Sequence, residues 1–99
     1  LFILHISVLQ EPFLQFFREK KLKVFVDATL GAAGHSLALC GEHPELELLV
    51  GFDQDSYALQ IAEEKLKDLQ VPRLLIHSNF CHLKEKLAEA GISQVDGFI

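Results

Sequence analysis

The chain has 99 residues, 49% of them hydrophobic and 23% charged, with a formal net charge of -5 at neutral pH. That is enough for one small globular domain and not for two. The acidic balance excludes a basic nucleic-acid footprint on these residues themselves, and no apolar run approaches the roughly 20 residues that cross a bilayer.

The opening LFILHISVL is apolar but lacks the basic flank and small-residue cleavage site of a signal peptide. Cys40 and Cys81 form no CxxC pair and fit reduced, buried thiols, so a soluble cytoplasmic protein is expected. Pro12 is placed to open a helix whose Phe13, Phe16 and Phe17 face the core. The Arg18-Glu19-Lys20-Lys21 run after it reads as a solvated helix end rather than a phosphate site. Four short apolar runs follow: Val24-Phe25-Val26, Leu48 to Phe52, Leu74-Leu75-Ile76 and Val95 to Ile99. They are nearly continuous in apolar character, as in parallel strands covered on both faces.

Helical stretches separate the runs. The first is expected from Gly34 to Cys40, stopping by Gly41 or Pro44. The second, from Asp55 to Leu69, places Leu59, Ala62, Leu66 and Leu69 on one face. Asp55 is its expected cap, and Glu63 is expected to pair with Lys67 on the solvent side. The third runs from His82 to Ala90, with Leu83, Leu87 and Ala90 as its stripe and Gly91 as its stop. The order predicts an α/β fold, a doubly wound parallel sheet. Residues 1–22 form a leading helical segment and 23–99 the strand-helix repeats of one domain. A start at Leu1 and an end inside a strand lead us to expect the N-terminal part of a larger domain, truncated after about four strands.

The segment Asp27-Ala28-Thr29-Leu30-Gly31-Ala32-Ala33-Gly34-His35-Ser36 directly follows the first strand. A sharp strand-to-helix turn leaves backbone N–H groups unpaired at the helix start, and small residues let a ligand approach them closely. The spacing is neither that of a P-loop, which needs a Lys after its second glycine, nor the GxGxxG of dinucleotide sites. Asp27 faces an anionic pyrophosphate badly but suits the ammonium and sulfonium of S-adenosylmethionine. A tight turn with no ligand is the competing reading. Asp53, ending the second strand about twenty residues on, stands where an acid that accepts ribose hydroxyls belongs. The alternative, that both aspartates cap the next helix, suits Asp55 and leaves Asp53 to the ligand. Asn79-Phe80 follows the third strand, and Phe80 is placed either to pack against adenine or to join the core. His77, Cys81 and His82 have no matching partner pair, and no metal site is expected. His35, in the first turn of the ligand-facing helix, either contacts the cofactor or caps that turn.

The run from Val26 to Ser36 resembles the VDATLGGGGHS signature of the bacterial small-subunit (16S) rRNA cytidine N4-methyltransferases. Supporting matches are His5-Ile6-Ser7-Val8-Leu9, Gly51-Phe52-Asp53-Gln54-Asp55, Asn79-Phe80 and Val95-Asp96-Gly97, in register along the chain. Ala32 and Ala33 stand where the family has glycine, and Ser7 where it has proline. The resemblance implies a class I, Rossmann-like fold with S-adenosylmethionine as cofactor. It implies that Ala33, Gly34 and His35 line the methionine end, that Asp53 holds the ribose and that Phe80 lies near adenine. Asp27 and Gly31 then support the turn instead of making the main contacts.

The implied reaction is methyl transfer to the exocyclic amine of a cytidine in small-subunit rRNA, with the rRNA or the assembled small subunit as partner and no membrane involved. The acceptor pocket and catalytic residues are expected beyond Ile99, so these residues alone are expected to be inactive and poorly soluble. Three other readings are a class I methyltransferase with another substrate, a nicotinamide dehydrogenase, and a non-catalytic remnant.

Overall fold

A computed structural model describes residues 11–28, 30 and 33–99, with the side chain of Phe80 left out. The match at His5 to Leu9 and the expectations for Thr29, Gly31 and Ala32 lie outside the described residues. The element order is helix α1 (residues 11–17), then β1 (Val24–Asp27), α2 (Gly34–Glu42), β2 (Leu48–Asp53), α3 (Ser56–Leu66), β3 (Arg73–His77), a 3₁₀ turn (Phe80–His82), α4 (Leu83–Glu89) and β4 (Gly97–Phe98).

All four strands are parallel, in the order β3-β2-β1-β4. The first two crossovers step outward from β1, and the third jumps back across it. With right-handed crossovers this reversal must place α4 on the opposite face of the sheet from α2 and α3. The two cores agree. Phe25 and Leu49 pack on one face with Leu39 and Cys40 of α2 and with Ala62 and Leu66 of α3. Val26, Val50 and Phe52 pack on the other with Leu83 and Leu87 of α4. The two central strands are therefore apolar at every turn of the pleat. β3, at an edge, is only half covered.

Local chemistry explains the helix ends. The Asp55 side chain accepts the Tyr57 N–H at 2.9 Å and starts α3. Gly91, with φ of 77°, ends α4: its N–H bonds Ala88 O at 3.0 Å and Ile92 N–H bonds Leu87 O at 2.9 Å. That pair of bonds is the Schellman arrangement, which a left-handed glycine makes possible. Two expectations fail here. Leu14 and Phe17 are buried and Phe13 partly so, but Phe16 is 66% exposed, because α1 turns the stripe of Leu14 and Phe17 inward. Glu63 does not pair with Lys67. It takes the guanidinium of Arg73 from β3 through two hydrogen bonds, while Lys67 pairs with Glu64. A planar fork that offers two donors outcompetes a single ammonium.

Two further clamps set the ends of the sheet. Asp96 accepts the N–H groups of Lys23 and Val24, each at 3.0 Å, and these bonds hold its carboxyl below the usual range. Buried His43 bonds Glu45 at 2.7 Å, and Glu45 also accepts the Leu22 N–H at 3.1 Å. The His43 bond, foremost, pulls the Glu45 carboxyl down to about 2. Among the described residues no helix is long and apolar enough to cross a membrane.

Candidate functional site

The carboxyl ends of β1, β2 and β3 lie along one edge of the sheet. Asp27 pairs with Gly51 in register, so β2 runs two residues further to Asp53, which pairs with His77. Ligands of doubly wound sheets bind outside this edge, beside the strand where the order reverses. Here that strand is β1, and the turn that leaves it is the segment the sequence singles out.

The turn is fixed from several sides. Ala28 N–H bonds Ile99 O at 2.8 Å, Leu30 N–H bonds Phe52 O at 2.9 Å, and Ala33 N–H bonds Leu30 O at 2.8 Å. Asp27 is 2% exposed, and its carboxylate accepts the hydroxyl of fully buried Ser36 at 2.7 Å. This short, charge-assisted bond ties the strand end to the first turn of α2. Its place agrees with the supporting role that the resemblance implies for Asp27.

Ala33, the N-cap of α2, is buried at φ 65° and ψ 20°. A left-handed backbone costs a non-glycine residue about 1–2 kcal/mol, so alanine here holds a conformation that the family's glycine takes without strain. Among the described residues no side chain caps α2, and the N–H groups of a helix's first turn have no acceptor within the helix. A Cβ built on Gly34 meets nothing within 4 Å among the described residues, so their packing does not require glycine there. Gly41, exposed further along the same helix, is equally open, so openness carries weight only at the helix start. His35 follows, half-buried. Its ring lies 5.1 Å from that of Phe13 at 60°, and its buried Nε2 has no hydrogen-bond partner among the described residues.

Asp53 sits half-buried at the end of β2 and accepts the Asp55 N–H on Oδ1 at 2.9 Å. Asp55 caps α3 as expected, yet Asp53 is not left wholly to a ligand, because one of its oxygens also holds its own turn. The loop after β3 is stitched to the same place. Ser78 N–H bonds Asp53 O at 3.0 Å, His77 Nε2 lies 3.0 Å from Gln54 O, and Asn79 Nδ2 bonds Gln54 Oε1 at 3.2 Å. Asn79 Oδ1 in turn accepts the Cys81 N–H at 3.0 Å. Asn79 thus joins two loops, and Gln54, which the sequence reading passes over, is the residue it joins them through. Phe80 opens the 3₁₀ turn immediately after this loop. Among the described residues no three His, Cys, Asp or Glu side chains gather as a metal site.

The start of α2 offers backbone donors suited to a carboxylate, His35 an unsatisfied ring nitrogen, and Asp53 acceptors suited to hydroxyls.

The profile of the MraW methylase family matches residues 2–99. The chain is 46% identical over 95 residues to ribosomal RNA small subunit methyltransferase H 1 of Acholeplasma laidlawii, covering 96% of this chain and 31% of that protein. It is also 46% identical over 99 residues to ribosomal RNA small subunit methyltransferase H of Lactobacillus johnsonii, again 31% of the relative and 94% of this chain. The chain thus spans under a third of the length of these relatives. Among solved structures, it is similar in fold to an rRNA methylase from Streptococcus thermophilus. That match has a TM-score of 0.61 at 25% identity, over 74% of this chain and 44% of the other.

Proposed function

The chain belongs to the MraW methylase family, and from that premise we propose that it is the cofactor platform of a methyltransferase that modifies the N4 amine of a cytidine in small-subunit 16S rRNA. Residues 1–99 form the first part of one methyltransferase domain, working in the cytoplasm on the rRNA or the assembled small ribosomal subunit. The cofactor, S-adenosylmethionine, supplies a methyl group made electrophilic by its sulfonium.

The chain's own residues bind and orient that donor. Ala33, Gly34 and His35 take the methionine end, with the first-turn N–H groups of α2 directed at its carboxylate. Asp53 accepts the ribose hydroxyls through charge-assisted hydrogen bonds, each contributing about 1.5–3 kcal/mol. Phe80, by its position after β3, lies near adenine. Asp27 and Ser36 hold the strand end and the helix start in fixed relation, so the donor is positioned before the acceptor arrives. The exocyclic amine of cytosine is a weak nucleophile because its lone pair is delocalised. Such a reaction gains most from alignment at roughly 3–3.5 Å, and the base must leave its stack to reach the site.

The observation that carries this reading is the match of residues 2–99 to the MraW methylase family, and beside it stands the buried Nε2 of His35 at the start of α2, which has no hydrogen-bond partner among the described residues. A buried polar nitrogen left unsatisfied costs about 1–3 kcal/mol, and a ligand at this helix start relieves it. The test is to incubate the full-length protein with small ribosomal subunits and methyl-labelled cofactor, then digest the RNA to nucleosides. The expected product is N4-methylcytidine. Label confined to another nucleoside, or to protein, contradicts the proposed acceptor.

A further inference from the structure

We propose that Phe13, on the leading helix α1, is a positioning residue for His35 and so extends the cofactor site to that helix. The proposal rests on the reading of Ala33, Gly34 and His35 as the contacts of the methionine end.

Phe13 is seated before it reaches the imidazole. Its ring packs edge-on against Phe17 at 5.6 Å and against Phe25 at 6.1 Å, and Phe17 packs against Phe25 at 5.2 Å. Phe25 is a central residue of β1 with no exposed surface, so this three-ring cluster fixes Phe13 relative to the sheet. From there the ring meets His35 at 5.1 Å and 60°, an edge-to-face geometry favoured by the ring quadrupole. The imidazole is otherwise at a helix start where, among the described residues, no side chain bonds the cap. Ordering a half-buried side chain when ligand arrives costs affinity, and a neighbour that orders it beforehand recovers the loss. The Nε2 of the same ring is buried with no hydrogen-bond partner among the described residues.

The test uses the full-length protein and two readouts, the affinity for S-adenosylmethionine by calorimetry and the proton resonances of the His35 ring. We expect Phe13→Leu to weaken binding about three- to ten-fold, the range of one aromatic pair, and to shift the His35 ring protons as the ring current of Phe13 is lost. Phe13→Tyr, which keeps the ring, retains both. Leu66→Ala empties a fully buried position in the same core on α3. It lowers the melting midpoint but leaves the affinity unchanged below that midpoint. In a His35→Ala background, Phe13→Leu has no further effect on binding. Equal loss of affinity in Phe13→Leu and Leu66→Ala, or a Phe13→Leu effect that persists without His35, overturns the proposal. If His35→Ala binds like the wild type, the reading of the methionine end falls and takes this inference with it. If His35→Ala weakens binding and Phe13→Leu does not, that reading stands and the positioning role alone is refuted.

Discussion

Gly51 lies in the middle of β2, yet its substitution is felt in the turn after β1. A Cβ added there sits 2.8 and 3.0 Å from the two Cδ atoms of Leu30 and 3.1 Å from Leu75 Cδ2. Carbon atoms in contact normally stand about 3.5–4.0 Å apart. Leu30 must therefore yield by up to about 1 Å, and it has little freedom to do so. It is 4% exposed, both its methyl groups are met, and its backbone is bonded to Phe52 O and Ala33 N–H. Overpacking of this kind costs about 1–3 kcal/mol, reduced by up to about 1 kcal/mol because alanine has fewer unfolded states than glycine. We expect Gly51→Ala to lose about 1–2 kcal/mol in urea unfolding of the full-length protein. We also expect it to weaken S-adenosylmethionine binding, because the displaced Leu30 carries Ala33 with it. Gly41→Ala, whose Cβ meets nothing within 4 Å in α2, serves as control and gains about 0.5–1 kcal/mol. Wild-type stability in Gly51→Ala refutes the claim that Leu30 is locked. Lost stability with unchanged affinity refutes the coupling from β2 to the turn.

Gly34→Ala is expected to keep or slightly raise stability, since its Cβ points into open space, while weakening cofactor binding; calorimetry and thermal melts on the same samples check both. The Glu45 carboxyl is held at about 2 from an ordinary 4.5, chiefly by His43. A depressed carboxyl stabilises the fold fully above pH 4.5 and loses that contribution as pH falls from 4.5 towards 2. Glu45→Gln should therefore flatten the pH dependence of unfolding across that window. A wild-type slope in Glu45→Gln contradicts the assignment.

The central strands were legible because they are buried on both faces, which leaves a continuous apolar run that little else produces in a short segment. The cap at Asp55 and the stop at Gly91 were legible because each depends on a neighbour within a few residues. What the sequence hid depended on distant partners or on backbone. Phe16 has the spacing of a core residue beside Phe13, and only the seating of Leu14 and Phe17 on the sheet decides which side of α1 faces outward. Glu63 has a suitable lysine four residues on, but β3 brings Arg73 beside it. In the candidate site, Asp53 and His35 were visible as residue types at strand and helix ends. The left-handed Ala33 was not visible in alanine itself, and its one sign was that the resembling family has glycine at that position. The contact of Phe13 with His35 crosses from α1 to α2 and has no local signature.

The most direct test of the platform is calorimetric titration of the full-length protein with S-adenosylmethionine, comparing wild type with Asp53→Asn. Asparagine keeps an oxygen for the Asp55 N–H that Asp53 now accepts at 2.9 Å, so the turn survives while the charge is lost. Replacing charge-assisted ribose bonds by neutral ones should weaken binding about ten-fold or more. Unchanged affinity in Asp53→Asn, or no binding by the wild type, contradicts the assignment of this sheet edge to S-adenosylmethionine.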